Sequence, residues 1–340
     1  MKEFEKYIKN VKSVLLITSQ PLDLDCISSG LIMKSYLESL DLRVTFRFPR
    51  KILAEESEKF SYLPFFDEFH NEDTRDLLDK AESDLLILLD GTNLVQYYDN
   101  ANTNLPVPAV NKFKKSIRID HHPESPENLA ELNILDPNAS STIELLLNQI
   151  IPESFLDRSL ATLAYAGLIG DTGNFRWNFN SKTLKLAASL LEKGADPSET
   201  IDRMFAMKRK EYLSMLKFIL ENIEYEDDLQ TVFLFLPYEK FQSEAKPLGD
   251  FRLVKDVFVN EVSKSIDGYH RGILLTEHAE KGKIKVNSRG SNQNNIDLRE
   301  MFQSLGGNGG GHFQTGGGDF EMDFDEFKTM LKDAIKTRLV

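Results

Sequence analysis

The chain predicts an α/β protein: a parallel-sheet N-terminal domain flanked by helices, joined by a helical linker to a smaller mixed α/β C-terminal domain. Three observations point there. Short apolar runs alternate with helical patterns through the first half, as expected of strands joined by crossover helices. A long amphipathic stretch at 209–225 then precedes a change in composition. Finally, 340 residues with 41% hydrophobic content can build two cores, at about 100 to 200 residues per domain. The expected division is 1–190, a linker at 191–226, and 227–340.

The elements follow in order. Strands are expected at VLLIT (14–18), RVTFRF (43–48), LLILL (85–89) and SIRI (116–119). Between the first two, CISSGLIMKSYLESL reads as a helix whose apolar face includes Ile27, Leu31 and Leu37. STIELLLNQII (141–151) and LATLAYAGLIG (160–170) read as two more, and SKTLKLAASLLEKGAD (181–196) as a third that Gly194 caps. The linker stretch places Leu213, Leu216, Leu220 and Ile223 on one side. The C-terminal domain then offers strands TVFLFL (231–236), RGILLTEH (271–278) and KIKVNSR (283–289), with helix at 251–265 and again from about 324 to 338. No internal repeat is evident, and GGNGGGHFQTGGG (306–318) is the one low-complexity tract.

Composition narrows the function. A formal charge of −13 argues against a protein that coats long duplex nucleic acid, because such binding needs a basic surface. No apolar run approaches the roughly 20 residues of a bilayer span, and MKEFEKYIKN lacks a leader's apolar core. The single cysteine, Cys26, fits a reducing, cytoplasmic setting.

Three expected strands run into acids. The first leads to Asp23 and Asp25, LLILLD ends at Asp90, and SIRIDHH ends at Asp120, His121 and His122. Asp171, in GLIGDTGNF, follows an apolar helix. Ligands of open parallel sheets bind beyond the carboxyl ends of the strands, so neighbouring strands would bring these groups to one rim. Clustered carboxylates raise one another's pKa unless a cation compensates. Oxygen donors with one or two imidazoles suit manganese or magnesium, and Asp90 is placed to bridge two ions.

The motifs DLD (23–25), LLD (88–90), DHH (120–122) and GDTGNF (170–175), in that order and followed by GGNGGGH (306–312), resemble the DHH phosphoesterase superfamily with its glycine-rich C-terminal associated domain. The arrangement is most similar to its nanoRNase and phosphoadenosine-phosphate phosphatase branch. The resemblance implies a hydrolase that uses two Mn²⁺ or Mg²⁺ ions and metal-activated water on short oligonucleotides or small nucleotides. It places Asp23 on one ion and Asp25 on the other, with Asp90 bridging and His121 and Asp171 completing the second. His122 would face the phosphate, with Asp120 orienting an imidazole. Most of the family has a histidine four residues before the first aspartate; here Ser19 stands there, with Gln20 beside it. These are weaker ligands, so the first ion is expected to bind weakly.

Glycine-rich backbone can approach an anion closely and form a nest of N–H groups. Gly310, Gly311 and His312 are therefore candidate phosphate contacts, with Arg289 as a bidentate partner for a terminal phosphate. Arg176, in NFRWNF, is a further candidate substrate contact, preferred to Trp177, for which packing is the competing role. Two other functions stay open: a non-catalytic nucleotide-binding protein, motivated by the missing histidine, and a pyrophosphate or polyphosphate hydrolase, motivated by DLDCIS. The exposed face of an early strand leaves a homodimer open.

Overall fold

The computed structural model describes residues 2–101, 105–122, 128–263, 265–291, 293–307 and 310–339. They form two compact units, Met1–Met207 and Lys208–Val340. Among the described residues, no helix is long and apolar enough to cross a membrane.

The first unit is built on a five-stranded sheet: β1 (Ser13–Thr18), β2 (Arg43–Arg47), β3 (Leu85–Leu89), β4 (Ser116–Asp120) and β5 (Leu132–Leu135). The order is β2-β1-β3-β4-β5, and every pairing is parallel. The three inner strands are buried throughout, whereas both edges are partly exposed. That is why the inner strands read as unbroken apolar runs. Alternation divides them between two cores. Leu16, Ile87 and Ile117 pack under the helices, while Leu15, Ile17, Leu86 and Leu88 face Leu78, Tyr97 and Phe113. Each fully buried aliphatic side chain contributes about 1.5–3 kcal/mol, enough in sum to carry charged groups at the rim.

Helix α1 (Leu24–Ser39) starts at Asp23, whose carboxylate caps it by accepting from Cys26 N at 2.8 Å. The helix is buried almost all round. Gly30 is needed where a Cβ would stand 2.6 Å from the Phe46 ring. Ser141 caps α2 (Thr142–Gln149), and Asp157 caps α3 (Arg158–Asp171). Helix α4 (Ser181–Glu192) ends before Gly194, whose φ of +88° is the left-handed stop expected of it.

The second unit carries α5 (Lys210–Asn222) and the strands β6 (Ile223–Glu226), β7 (Thr231–Leu236), β8 (Arg271–Thr276), β9 (Lys283–Gly290), β10 (Gly311–His312) and β11 (Thr315–Glu321). The sheet order is β10-β11-β9-β8-β7-β6, mixed, with β7 and β8 the parallel pair. One face is covered by α5 and the helical stretch that begins at Phe251. The other is covered by α6 (Leu298–Ser304) and α7 (Phe324–Leu339). The expected helix at 251–265 is α-helical only over Phe251–Lys255 and continues as wider π turns over Asp256–Val262.

One expectation is corrected here. Helix α5 does not pack through Leu213 and Leu220, which are both 54% exposed; it buries Met215, Phe218 and Ile219. The helix has apolar residues on two stripes, and the face that meets Val232 and Leu234 of β7 is the one carrying Phe218.

Candidate metal centre

The strand order reverses between β1 and β3, where the crevice of an open α/β sheet lies. Thr18 is paired with Leu89, so the chain leaves both strands side by side. One exit leads to Asp23 and Asp25, the other to Asp90; β4, paired next to β3, ends at Asp120 and the two histidines. Asp171 arrives at the end of α3. A Cβ at Gly170 would lie 2.7 Å from Leu24 Cβ, so glycine lets the end of α3 sit on the start of α1.

Ligand atoms of Asp25, His121 and Asp171 lie within 4.8 Å of one another, as do those of Asp90, His121 and His122. His121 is shared. Its Nδ1 faces the Ala139 carbonyl at 3.4 Å. A carbonyl only accepts, so Nδ1 carries a proton, and Nε2 is the nitrogen that can exchange its proton for a metal ion. That Nε2 stands 3.0 Å from Asp171 Oδ2 and 3.7 Å from Asp90 Oδ1. Among the described residues this buried nitrogen has these carboxylates before it. A ring nitrogen set among carboxylates calls for positive charge between them, a proton or a metal ion, and this donor set fits a divalent ion of the manganese or magnesium type.

The electrostatics agree. Burial, and then the Asp25 and Asp23 charges, push the Asp90 carboxyl well above its ordinary value. Burial and Asp171 do the same for Asp25 and bring Asp23 up to about 6. Burial opposes charge on His121, but the adjoining Asp171 and Asp25 carboxylates raise it to about 9. Without a metal, protons supply the missing positive charge.

Neighbouring groups fix these side chains. Asp25 accepts from Thr142 N at 2.6 Å and Ile143 N at 3.0 Å, so it also caps α2. Thr142 Oγ1 donates to Asp90 Oδ1 at 2.9 Å. Asp90 has φ of +62°, a left-handed turn that aspartate tolerates better than most residues. Its carbonyl accepts from the Ser19 hydroxyl, and the Gly91 carbonyl accepts from Tyr97 OH at 3.0 Å. A Cβ at Gly91 would meet that hydroxyl at 2.6 Å and Ser19 Cβ at 2.8 Å. Asp120 gives one oxygen to buried Arg118 (2.6 Å) and the other to His122 Nδ1 (2.8 Å) and N (3.1 Å). Burial would raise Asp120, but the His122 and Arg118 hydrogen bonds hold it at about 2.

Asp23 belongs to neither ligand group found among the described residues, although the Asp171 charge reaches it. Gln20 turns its amide nitrogen to the carbonyls of Val95 and Tyr98, at 3.2 and 2.9 Å. Arg176 is exposed on the turn after Asp171. Arg289, Gly310 and the backbone of Gly311 and His312 belong to the second unit; the His312 side chain lies outside what is described. Of the glycine tract, Asn308 and Gly309 also lie outside the described residues, and Gly306 is its one described position with positive φ. Arg289, Gly310 and Gly316–Gly318 line a cavity of about 320 Å³ with Lys255 and Asn287.

Sequence reasoning missed Thr142 and Arg118. Arg118 had a signal: it is a charge inside a buried strand, two residues before Asp120 and hence on the same face. Thr142 had none, since its contacts span 117 and 52 residues of chain.

Residues 13–168 match the family described as DHH family, N-terminal domain. Over 226 residues the chain is 26% identical to the bifunctional oligoribonuclease and PAP phosphatase NrnA of Thermus thermophilus, covering 66% of this chain and 64% of that protein. Against the protein of the same name from Bacillus subtilis it is 28% identical over 229 residues, covering 64% and 66% respectively. The matched stretch thus spans just under two thirds of these relatives. A crystal structure of an exopolyphosphatase-related protein from Bacteroides fragilis has the same fold, with a TM-score of 0.77 at 22% identity over 99% of this chain and 95% of that one. Sequence motifs, sheet order and the family match agree over residues 13–168, the stretch that matches the DHH family's N-terminal domain.

Proposed function

We propose that this protein is a metal-dependent phosphoesterase that hydrolyses short oligonucleotides or small nucleotides. The observation that carries the reading is the buried His121 ring, set among Asp25, Asp90 and Asp171. The curated relatives named as oligoribonucleases and PAP phosphatases support the substrate class.

Asp25, His121 and Asp171 would hold one divalent ion, and Asp90 would reach toward a second, expected to bind more weakly because Ser19 offers no imidazole. Bound ions supply Lewis-acid polarisation of the phosphoryl group and activation of the attacking water. The chain's own residues do the rest. Asp120 fixes the His122 ring by accepting from its Nδ1–H, and the doubly protonated ring would donate its Nε2–H to a phosphoryl oxygen as charge builds there. Arg118 keeps Asp120 ionised and in place. Thr142 and the Ser19 hydroxyl set the direction of Asp90. Arg289 and the glycine-lined cavity of the second unit would bind a phosphate of the substrate.

Incubation with an end-labelled dinucleotide and Mn²⁺ or Mg²⁺ should release mononucleotides, faster than tripolyphosphate releases phosphate. Absence of turnover with either metal across several short substrates would sink the reading. A second reading, a nucleotide-binding protein without hydrolysis, is favoured by Ser19, whose hydroxyl is committed to the Asp90 carbonyl. One ion per chain and nucleotide binding without cleavage would select it.

A further inference from the structure

We propose that Trp177 is a stacking platform for a base of the substrate, presented by the left-handed turn that follows Asp171. The inference rests on the nucleotide reading above and names the group that would recognise the base.

Gly173, Asn174 and Phe175 have φ of +55°, +59° and +60°, and Asn178 follows at +48°. Left-handed backbone is unfavourable for a non-glycine residue, and such strain collects at ligand sites. Here it folds the chain back so that the indole of Trp177 lies on Gly173. A Cβ at that glycine would stand 2.1 Å from Trp177 Cζ2, so only glycine leaves room. The indole Nε1 donates to the Asp171 carbonyl at 2.9 Å. The same residue's carboxylate stands 3.0 Å from His121 Nε2. The ring is therefore tied through one residue to the carboxylate–imidazole cluster.

It is nevertheless 48% exposed, and Phe179 beside it is 44% exposed. Phe179 is steadied edge-to-face by Phe175 at 6.3 Å, which packs in turn on Tyr165 at 6.2 Å. A packing role would bury the chain's one tryptophan; this turn holds it rigid and half in water. A phosphate at the cluster carries its base one sugar away, and an aromatic face accepts any base. Exposed Arg176, between the cluster and the ring in sequence, adds a positive charge suited to the sugar–phosphate.

Because Trp177 is the only tryptophan, the intrinsic fluorescence of the whole protein reports on it directly. A dinucleotide with a non-hydrolysable linkage should quench it saturably in the presence of Mg²⁺, whereas tripolyphosphate, which has no base, should not. Trp177→Ala should raise KM for a dinucleotide about tenfold with kcat changed less than about threefold, and Trp177→Phe should recover most of the loss. Tripolyphosphate turnover should not respond to either substitution. An unchanged KM in Trp177→Ala, or equal quenching by tripolyphosphate, would overturn the proposal. If the native protein cleaves nothing, saturable quenching by the dinucleotide keeps the platform while the phosphoesterase reading fails; no quenching removes both.

Discussion

The acidic rim of the first unit and the glycine-rich strand of the second contrast in what their motifs are for. At the rim, Asp25, Asp90, Asp120 and His121 are all buried, at 0%, 4%, 0% and 8% exposure. Burying charge is unfavourable unless it is paired: Asp25 and Asp90, raised by burial and neighbouring carboxylates, lower stability, while Thr142, the amides at the start of α2 and the Arg118–Asp120 pair hold the rim. The glycines of β11 have the opposite character. A Cβ at Gly316 would lie 2.4 Å from Leu298 O, and one at Gly317 2.3 Å from Val286 O. Their backbone is extended, so the residue type follows from close approach of α6 and β9. One motif serves chemistry at the expense of stability; the other serves packing, and through packing the cavity beside Arg289.

The contrast can be broken by substitution, beginning with the largest effect. Asp90→Asn keeps a residue that tolerates φ of +62° but removes the carboxylate. Turnover of a dinucleotide should fall roughly 10³-fold, the scale of several kcal/mol of lost charge stabilisation, while the metal-free melting temperature holds or rises. Arg118→Met strands a buried carboxylate that is held at about 2; urea unfolding should show a loss of about 3–5 kcal/mol. Gly316→Ala should cost about 1–3 kcal/mol by overpacking, leaving the metal content of the protein unchanged. Thr142→Val, smaller still in stability, should weaken metal affinity about 10- to 100-fold, as the loss of an orienting hydrogen bond does.

A pH series sharpens the same point. The Asp23, Asp25 and Asp90 carboxyls are raised on folding, Asp23 to about 6. The metal-free fold therefore holds protons that the unfolded chain would release, and its stability falls as pH rises from about 4 through 6. His121, at about 9, must also give up a proton to an ion. Protons and metal compete, so the rise in melting temperature on adding Mn²⁺ should grow with pH toward about 9 and shrink as pH drops through 6. Calorimetry at pH 7 in buffers of different ionisation enthalpy should register proton release.

The expected β1, β3 and β4 and the meeting of their carboxyl ends were legible because inner parallel strands are apolar throughout and their acids stand at the ends, and the ordered motifs made the family match legible too. Less legible was β5, a short edge strand without a continuous apolar run. The packed face of α5 was misread because two apolar stripes compete and only the sheet decides between them. Ser19 shows a further gap. Sequence alone marks it as a substitute for a metal ligand, whereas its hydroxyl is spent on the Asp90 backbone, a contact across 71 residues that no local pattern encodes.

Anomalous diffraction from crystals grown with Mn²⁺ tests the central claim most directly. The account predicts a peak at coordination distance from His121 Nε2 and from the carboxylates of Asp171 and Asp25 or Asp90, lost in Asp90→Asn or reduced to one ion. Manganese found only at surface acids, with His121 Nε2 still facing bare carboxylates, would contradict it.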